Sequence, residues 1–359
     1  MTAEPRTPTR TGAADDEHHG HLWTSAGMIS RTASPADIER TLHENRSARS
    51  WFVMPREDSE ALRRAAADVG IDNLAIEDLL GEREPLKLDW IGDSMVAVLR
   101  ALSFDPTSGE LTLASVSVLA GPRVVLVLAD DPVRDDICRH LEKAEKTIVG
   151  DGPSAVVHGV IDLVVDGYTA VLQQMEDEID DLSELLFGDR PLTREQQVYS
   201  FTLRRSVARL RRVSGPMRDI AAGLASAAGA ADTDAAAGAA NRTAKDPAER
   251  LLGTGSVRQF SDVADHADHV ARGADGLRDV ISSMYETNLA LADVHLNMVM
   301  KKLTGWAAII AVPTLITGFM GMNVPYPGFQ SWKGFLVALV VMVVAVTTLF
   351  ITLRRKDWI

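Results

Sequence analysis

Residues 303–323 read LTGWAAIIAVPTLITGFMGMN, and residues 334–353 read GFLVALVVMVVAVTTLFITL. No charged residue lies between Lys302 and Lys333, and none lies within the second run. A helix needs about 20 apolar residues, at about 1.5 Å each, to cross the hydrocarbon core of a bilayer. Both runs reach that length, and only VPYPGFQSWK, at positions 324–333, separates them. Two such runs so close together predict a membrane hairpin over residues 301–353 rather than a buried soluble one.

The flanks give its orientation. Lys301 and Lys302 precede the first span, and Arg354, Arg355 and Lys356 form a basic tail with the last residues, 354–359. The connecting loop holds only Lys333. Positive charge collects on the cytoplasmic side, so both termini are expected in the cytosol and the chain in the cytoplasmic membrane as a multi-pass protein. Trp306, Tyr326, Trp332 and Trp358 stand near the expected interfaces, where amphipathic rings settle.

The 359-residue chain has room for two or three domains. Its formal charge of −13 argues against nucleic acid as a partner and is compatible with binding cations. The single Cys138 cannot close an intramolecular disulfide, in keeping with a reducing compartment. Residues 1–25 are rich in Thr, Pro, Gly and charge, have no apolar core of the signal-peptide kind, and read as a disordered tail. His18, His19 and His21 are read there as part of a flexible segment rather than a metal site.

Residues 26–153 alternate between strand-like and helix-like runs, which predicts a small α/β domain with a mixed sheet. Strands are expected over 50–54, 94–104, 111–120 and 124–128, with turns at Gly109 and Gly121-Pro122. Helices are expected over 58–69, 75–80 and 131–144. No glycine-rich phosphate loop or nucleophile elbow is present, so nothing marks an active site and the chain is not read as an enzyme.

Residues 154–300 read as a helical, coiled-coil-like domain and stalk. An acidic helix ends near Phe187 and a helix rich in Arg follows, and antiparallel packing would set the two charge signs side by side. The Ala/Gly-rich stretch near 221–245 reads as a loop. Asp246 and Pro247 suit a helix start, as cap and first residue. With no further proline until Pro313, a continuous helix over those roughly 65 residues would be about 100 Å long and would need neighbours, such as copies of itself.

Gly321-Met322-Asn323, at the end of the first span, resembles the signature of the CorA family of magnesium channels. The surrounding pattern strengthens the resemblance: NMVMKKLT at 297–304, Pro313 in the span, Gly318, a short outer loop and the end RRKDW. Upstream, IEDLL at 76–80 with PLKLDWIGDSMVAVLR at 85–100, MEDEIDDLSELLF at 175–187 and FSDVADH at 260–266 are also similar to the family. The likeness covers roughly residues 45–359.

The resemblance implies a homopentameric funnel: an α/β cytosolic domain, a long-helix stalk and a two-helix hairpin whose first span lines a central pore. It implies passive Mg2+ uptake closed by cytosolic Mg2+, which is both cargo and regulator. Pore and selectivity roles fall on Gly321, Met322, Asn323, Gly318, Thr314 and Asn297, and the apolar gate on Leu303 and Met300. Regulatory metal binding falls on Glu77 and Asp78, facing Asp262 of a neighbouring copy. Two departures stand out. Met320 occupies a position where the family usually has Tyr, and the outer loop has no acid where many members carry one.

Two other readings stay open. One is a relative that moves zinc, cobalt or nickel; the Met of the signature favours magnesium, whereas the acid-free loop and the i,i+4 pairs Asp262/His266 and Asp265/His269 favour a transition metal. The other is a non-conducting scaffold or sensor, against which the polar residues at membrane depth count.

Overall fold

The computed structural model describes residues 19–56, 76, 85–186, 192–236, 247–253, 255–322, 328 and 331–358. The chain divides into two compact units, Met1–Ile281 and Ser282–Ile359.

The first unit is built on a seven-stranded sheet. Its strands are β1 (His19–Thr24), β2 (Gly27–Ser30), β3 (Arg49–Met54), β4 (Lys87–Ile91), β5 (Ser94–Asp105), β6 (Glu110–Ala120) and β7 (Val124–Ala129), in spatial order β2-β1-β3-β7-β6-β5-β4. Only β3 and β7 run parallel, so the expected mixed sheet is present. They occupy the middle, and VVLVLA of β7 is buried at every position. A strand covered on both faces loses the apolar–polar alternation and becomes a continuous apolar run.

One face of the sheet packs Phe52, Met54, Val96, Leu119, Leu126 and Leu128 against Ile38 and Leu42 of helix α1 (Pro35–Glu44) and against Ile76. Helices α2 (Val133–Lys143), α3 (Glu145–Asp151) and α4 (Pro153–Leu186) follow β7. The long α4 packs on β5 and carries a buried stripe that includes Val157, Ile161, Val164, Tyr168, Leu172 and Met175. These positions repeat at three- and four-residue spacing, one face of a 3.6-residue period. Gly152 precedes α4 with φ +77, a backbone conformation that calls for glycine.

Helix α5 (Arg194–Ala236) packs beside α4, followed by α6 (Pro247–Leu252) and α7 (Val257–Met320). Basic side chains of α5 reach beyond its acidic neighbour. Arg211 pairs with Asp275 on α7 at 2.5 Å, and Arg209 donates to the Leu111 carbonyl. Tyr199 of α5 does bond Glu178 of α4 through its hydroxyl.

Three expectations are corrected. Strand β1 lies within the tail read as disordered; it pairs with β3, and Leu22 and Trp23 are buried. The Ala/Gly stretch is helical as far as Ala236 rather than a loop. Alanine is the strongest helix former, and Leu224, Ala228 and Ala231 sustain a buried stripe at helical spacing. The single helix expected from Pro247 is two helices: Gly253 and Gly255 take φ +68 and +92 between α6 and α7, a conformation only glycine adopts cheaply. Strands β2 and β4 were not expected at all. The helices expected over 58–69 and 75–80 lie outside the described residues, save Ile76.

The second unit contains the remainder of α7 and helix α8 (Trp332–Arg355). Among the described residues, three helices are long and apolar enough to cross a membrane: α4, α7 and α8. The apolar window of α4 is 61% buried, whereas those of α7 and α8 are 6% and 0% buried. Helix α4 spends its apolar window on a protein core; those of α7 and α8 are left almost uncovered by the described residues.

Candidate functional site

Helix α7 stays helical through Pro313 and ends at Met320. Pro313 has no N–H for the Ile309 carbonyl, a local weakness in the ladder. Threonine hydroxyls bond the backbone around it. Thr314 donates to the Ile310 carbonyl at 2.9 Å, Thr317 to that of Pro313 at 2.9 Å, and Thr304 to that of Met300 at 2.8 Å. Beyond the helix, the Gly321 N–H bonds the Thr317 carbonyl and the Met322 N–H that of Phe319. The proposed pore residues therefore begin at an orderly helix end. Asn323, the third residue of the signature, lies outside the described residues.

Helix geometry decides which residues can act together. At about 100° per residue, Asn297, Met300, Leu303, Thr314 and Gly318 fall within about one third of the circumference. All five are exposed, Met300 at 58% and Leu303 at 62%. Ala307 and Ala311 share this arc, and they join Ile310, Thr314, Leu315 and Gly318 in lining a groove of about 970 Å³ along the helix. No protein atom stands where a Cβ on Gly318 would. The arrangement is one face carrying an amide, a hydroxyl and two bulky apolar side chains on a helix that has no charged residue from Leu303 to its end. It can offer neutral oxygens in steps, with an apolar stretch between them.

At the far end of the hairpin, Ser331 caps α8. Its hydroxyl accepts from the Gly334 N–H at 3.0 Å and lies 2.9 Å from the Gly328 carbonyl, to which it donates. A Cβ on Gly334 would stand 2.2 Å from the Gly328 carbonyl oxygen, so only glycine fits.

The acids expected to bind a regulatory cation are less complete. Glu77 and Asp78 lie outside the described residues. Asp262 is exposed on α7. Sequence reasoning missed Asp162 and Asp166 of α4, which face the same region. Burial, then Asp162, holds the Asp166 carboxyl above its ordinary range; His266 and His140 oppose this and Asp262 adds to it. Carboxylates spaced four apart on an apolar helix were the available signal.

Among the described residues, no three His, Cys, Asp or Glu side chains are arranged to hold a metal ion. The pairs Asp262/His266 and Asp265/His269 therefore lack a third ligand there. His21 is buried and stacked on Trp51 at 4.1 Å, which removes it from any triple-His site. Burial pushes the Cys138 thiol up to about 12, with Glu142 and Asp135 adding to the shift, so it is not poised for thiolate chemistry.

Comparison with known proteins adds the following. The family described as CorA-like Mg2+ transporter protein matches residues 47–355. The cobalt/magnesium transport protein CorA of Thermotoga maritima is 26% identical over 338 residues, 92% of this chain and 89% of that protein. The zinc transport protein ZntB of Yersinia pseudotuberculosis is 26% identical over 299 residues, covering 79% and 80%. Among solved structures, the CorA magnesium transporter of Methanocaldococcus jannaschii aligns with a TM-score of 0.69 at 20% identity, over 96% of this chain and 99% of that one.

Proposed function

This chain belongs to the CorA-like Mg2+ transporter family, and on that premise we propose that it acts as a homopentameric magnesium channel of the cytoplasmic membrane. Its family transports divalent metal ions; the choice of magnesium, the five copies and the placement of both termini in the cytosol are our reading. The observation that carries it is the single face of α7 on which Asn297, Met300, Leu303, Thr314 and Gly318 stand exposed.

Magnesium demands octahedral oxygen and releases its waters reluctantly, so a pore selects it more easily as the hydrated ion. Neutral oxygens suit that task, because they accept hydrogen bonds from the ion's waters without trapping the charge. Asn323, next in sequence after Gly321 and Met322, forms the outer amide ring. Thr314 and the Gly318 backbone supply the next oxygens, and Asn297 the inner amide ring. Met300 and Leu303 close the pathway by excluding water. Entry is driven by the membrane potential, about 4.6 kcal/mol for a doubly charged ion at about 100 mV.

Closure is assigned to cytosolic magnesium. Glu77 and Asp78 of one copy and Asp262 of the next repel until a divalent cation neutralises them. Bound magnesium favours the closed pentamer, and its loss shifts the population toward the open one.

A second reading, transport of zinc or another transition metal, is favoured by the likeness to ZntB and by the acid-free outer loop. Ion uptake into proteoliposomes under an inside-negative potential separates the two. Magnesium flux that Asn323→Ala abolishes and internal magnesium suppresses supports the channel reading. Zinc, cobalt or nickel flux without magnesium flux moves the protein to the second. A purified oligomer that passes none of them is a scaffold, and the channel reading falls.

A further inference from the structure

The hairpin's basic end contains more order than orientation in the membrane requires. Helix α8 closes with a left-handed Asp357 at φ 55, and the Trp358 N–H returns to the Leu353 carbonyl at 3.0 Å while the Asp357 N–H returns to that of Arg354. This is a Schellman-type helix end, a defined turn rather than a frayed terminus. It brings Asp357 to one pocket of about 630 Å³ with Val294, Asn297, Met298, Lys301 and Lys302 of α7.

The five cations here, Lys301, Lys302, Arg354, Arg355 and Lys356, are all exposed. None has an ion-pair partner among the described residues, whereas Arg31, Arg134, Arg139, Arg211, Arg250 and Arg272 of the first unit all do. A chain of formal charge −13 thus gathers a cluster of unpaired positive charge where two unburied apolar windows end. The pocket shares Asn297 with the edge of the proposed pore face, but the helical wheel places its lysines off that face. At about 100° per residue, Lys302 lies nearly opposite the centre of the arc that holds Met300 and Gly318, and Lys301 lies outside that arc. Basic pockets between membrane helices on the cytoplasmic side suit anionic headgroups, each Lys or Arg near the surface contributing about 1 kcal/mol.

We propose that this pocket binds the phosphate of an anionic phospholipid of the inner leaflet. Lys301 and Lys302 line the site and hold the phosphate, the Arg354–Lys356 run just before the lining residue Asp357 adds positive charge nearby, and Asp357 weakens the site by opposing the headgroup. Val294 and Met298 line the wall below. A lipid rather than a free phosphate is the fitting occupant, because the apolar faces of α7 and α8 continue directly from the pocket and accommodate acyl chains. The proposal rests on the membrane placement of the hairpin and not on which ion is carried.

The test is native mass spectrometry of the full-length protein released from bilayers of phosphatidylcholine mixed with phosphatidylglycerol. Wild type is expected to retain phosphatidylglycerol several-fold over phosphatidylcholine, less so at high salt. Lys301→Gln with Lys302→Gln should bring retention close to parity; the Arg354–Lys356 run is left intact so that topology is kept. Asp357→Asn should raise retention, and Lys333→Gln in the outer loop should leave it unchanged. Should the double variant fail to assemble, the Asp357→Asn result decides. No preference in wild type, or the same retention in all variants, overturns the site. Displacement by inorganic phosphate overturns the lipid as occupant. Flux measured in parallel keeps the two readings apart: retention without flux counts against the channel alone, and flux without retention counts against the lipid site alone.

Discussion

Helices α4 and α8 have almost the same credentials on paper and opposite fates in the molecule. Both are long and apolar enough to span a bilayer, yet the apolar window of α4 is 61% buried and that of α8 not at all. The difference lies in what each helix carries besides hydrocarbon. Polar positions of α4, among them Asp162, Asp166, Glu176 and Asp177, share one side, and the opposite side packs on the sheet. Helix α8 has no acid and no buried residue. An amphipathic helix finishes its folding against its own chain, whereas one that is apolar all round needs lipid or another copy.

The sharpest way to break this comparison is to truncate one β-branched side chain on each helix to alanine. Ile161 is fully buried in α4, and Ile161→Ala should cost about 2–5 kcal/mol, read as a large drop in the first unit's unfolding temperature. Val343 of α8 is 56% exposed, and Val343→Ala should leave the unfolding temperature nearly unchanged in lipid if that side faces acyl chains. A core-sized loss at Val343 would mean that α8 is packed against a second copy. A smaller effect is expected at the cap of α8. Ser331→Ala removes the acceptor for the Gly334 N–H and should cost about 1 kcal/mol, seen as faster hydrogen exchange at that helix's first turn. Unchanged exchange there would show that lipid or a partner, not the cap, fixes the helix start.

The smallest effect concerns Asp166 and depends on pH. Its folded-state pKa is raised, chiefly by burial and by Asp162, so the folded chain holds that proton to a higher pH than the unfolded chain does. The penalty is absent below the ordinary carboxylate range and grows as pH rises through the raised value. Asp166→Asn should therefore raise the unfolding temperature modestly at neutral pH and not at acid pH. Added magnesium should stabilise the variant less than the wild type if this acid shares a cation with Asp262. An equal shift at both pH values would remove Asp166 from that role.

Much of this was legible in the chain, for a physical reason. The hairpin is a matter of length and the absence of charge, and β3, β5, β6 and β7 are dense in β-branched and large apolar residues, so local signals and tertiary packing agree there. The Ala/Gly stretch misled because glycine reads as a breaker, while alanine at every third or fourth place was building a buried stripe through Ala231. Strand β1 hid in a polar tail because only Leu22 and Trp23 mark it as apolar. Asn297, Thr314 and Gly318 were singled out by the resemblance, and helical spacing sets them on one face of α7. The neighbourhood of Asp166 and Asp262 did not, since it joins helices about a hundred residues apart in sequence.

The hydroxyls of Thr304, Thr314 and Thr317 have one more consequence. Each spends its single proton on a carbonyl of its own helix, so what it turns outward is lone pairs only. Water meeting that face can give hydrogen bonds to these groups and receive none from them, and its molecules settle with hydrogens toward the wall and oxygens toward the middle. In the proposed pore, a column of water oriented in this way would be hospitable to a cation and inhospitable to chloride. The stretch from Leu303 to Met320 would thereby acquire a sense of charge sign without containing a charge, and would do so with side chains that are cheap to hold in oil.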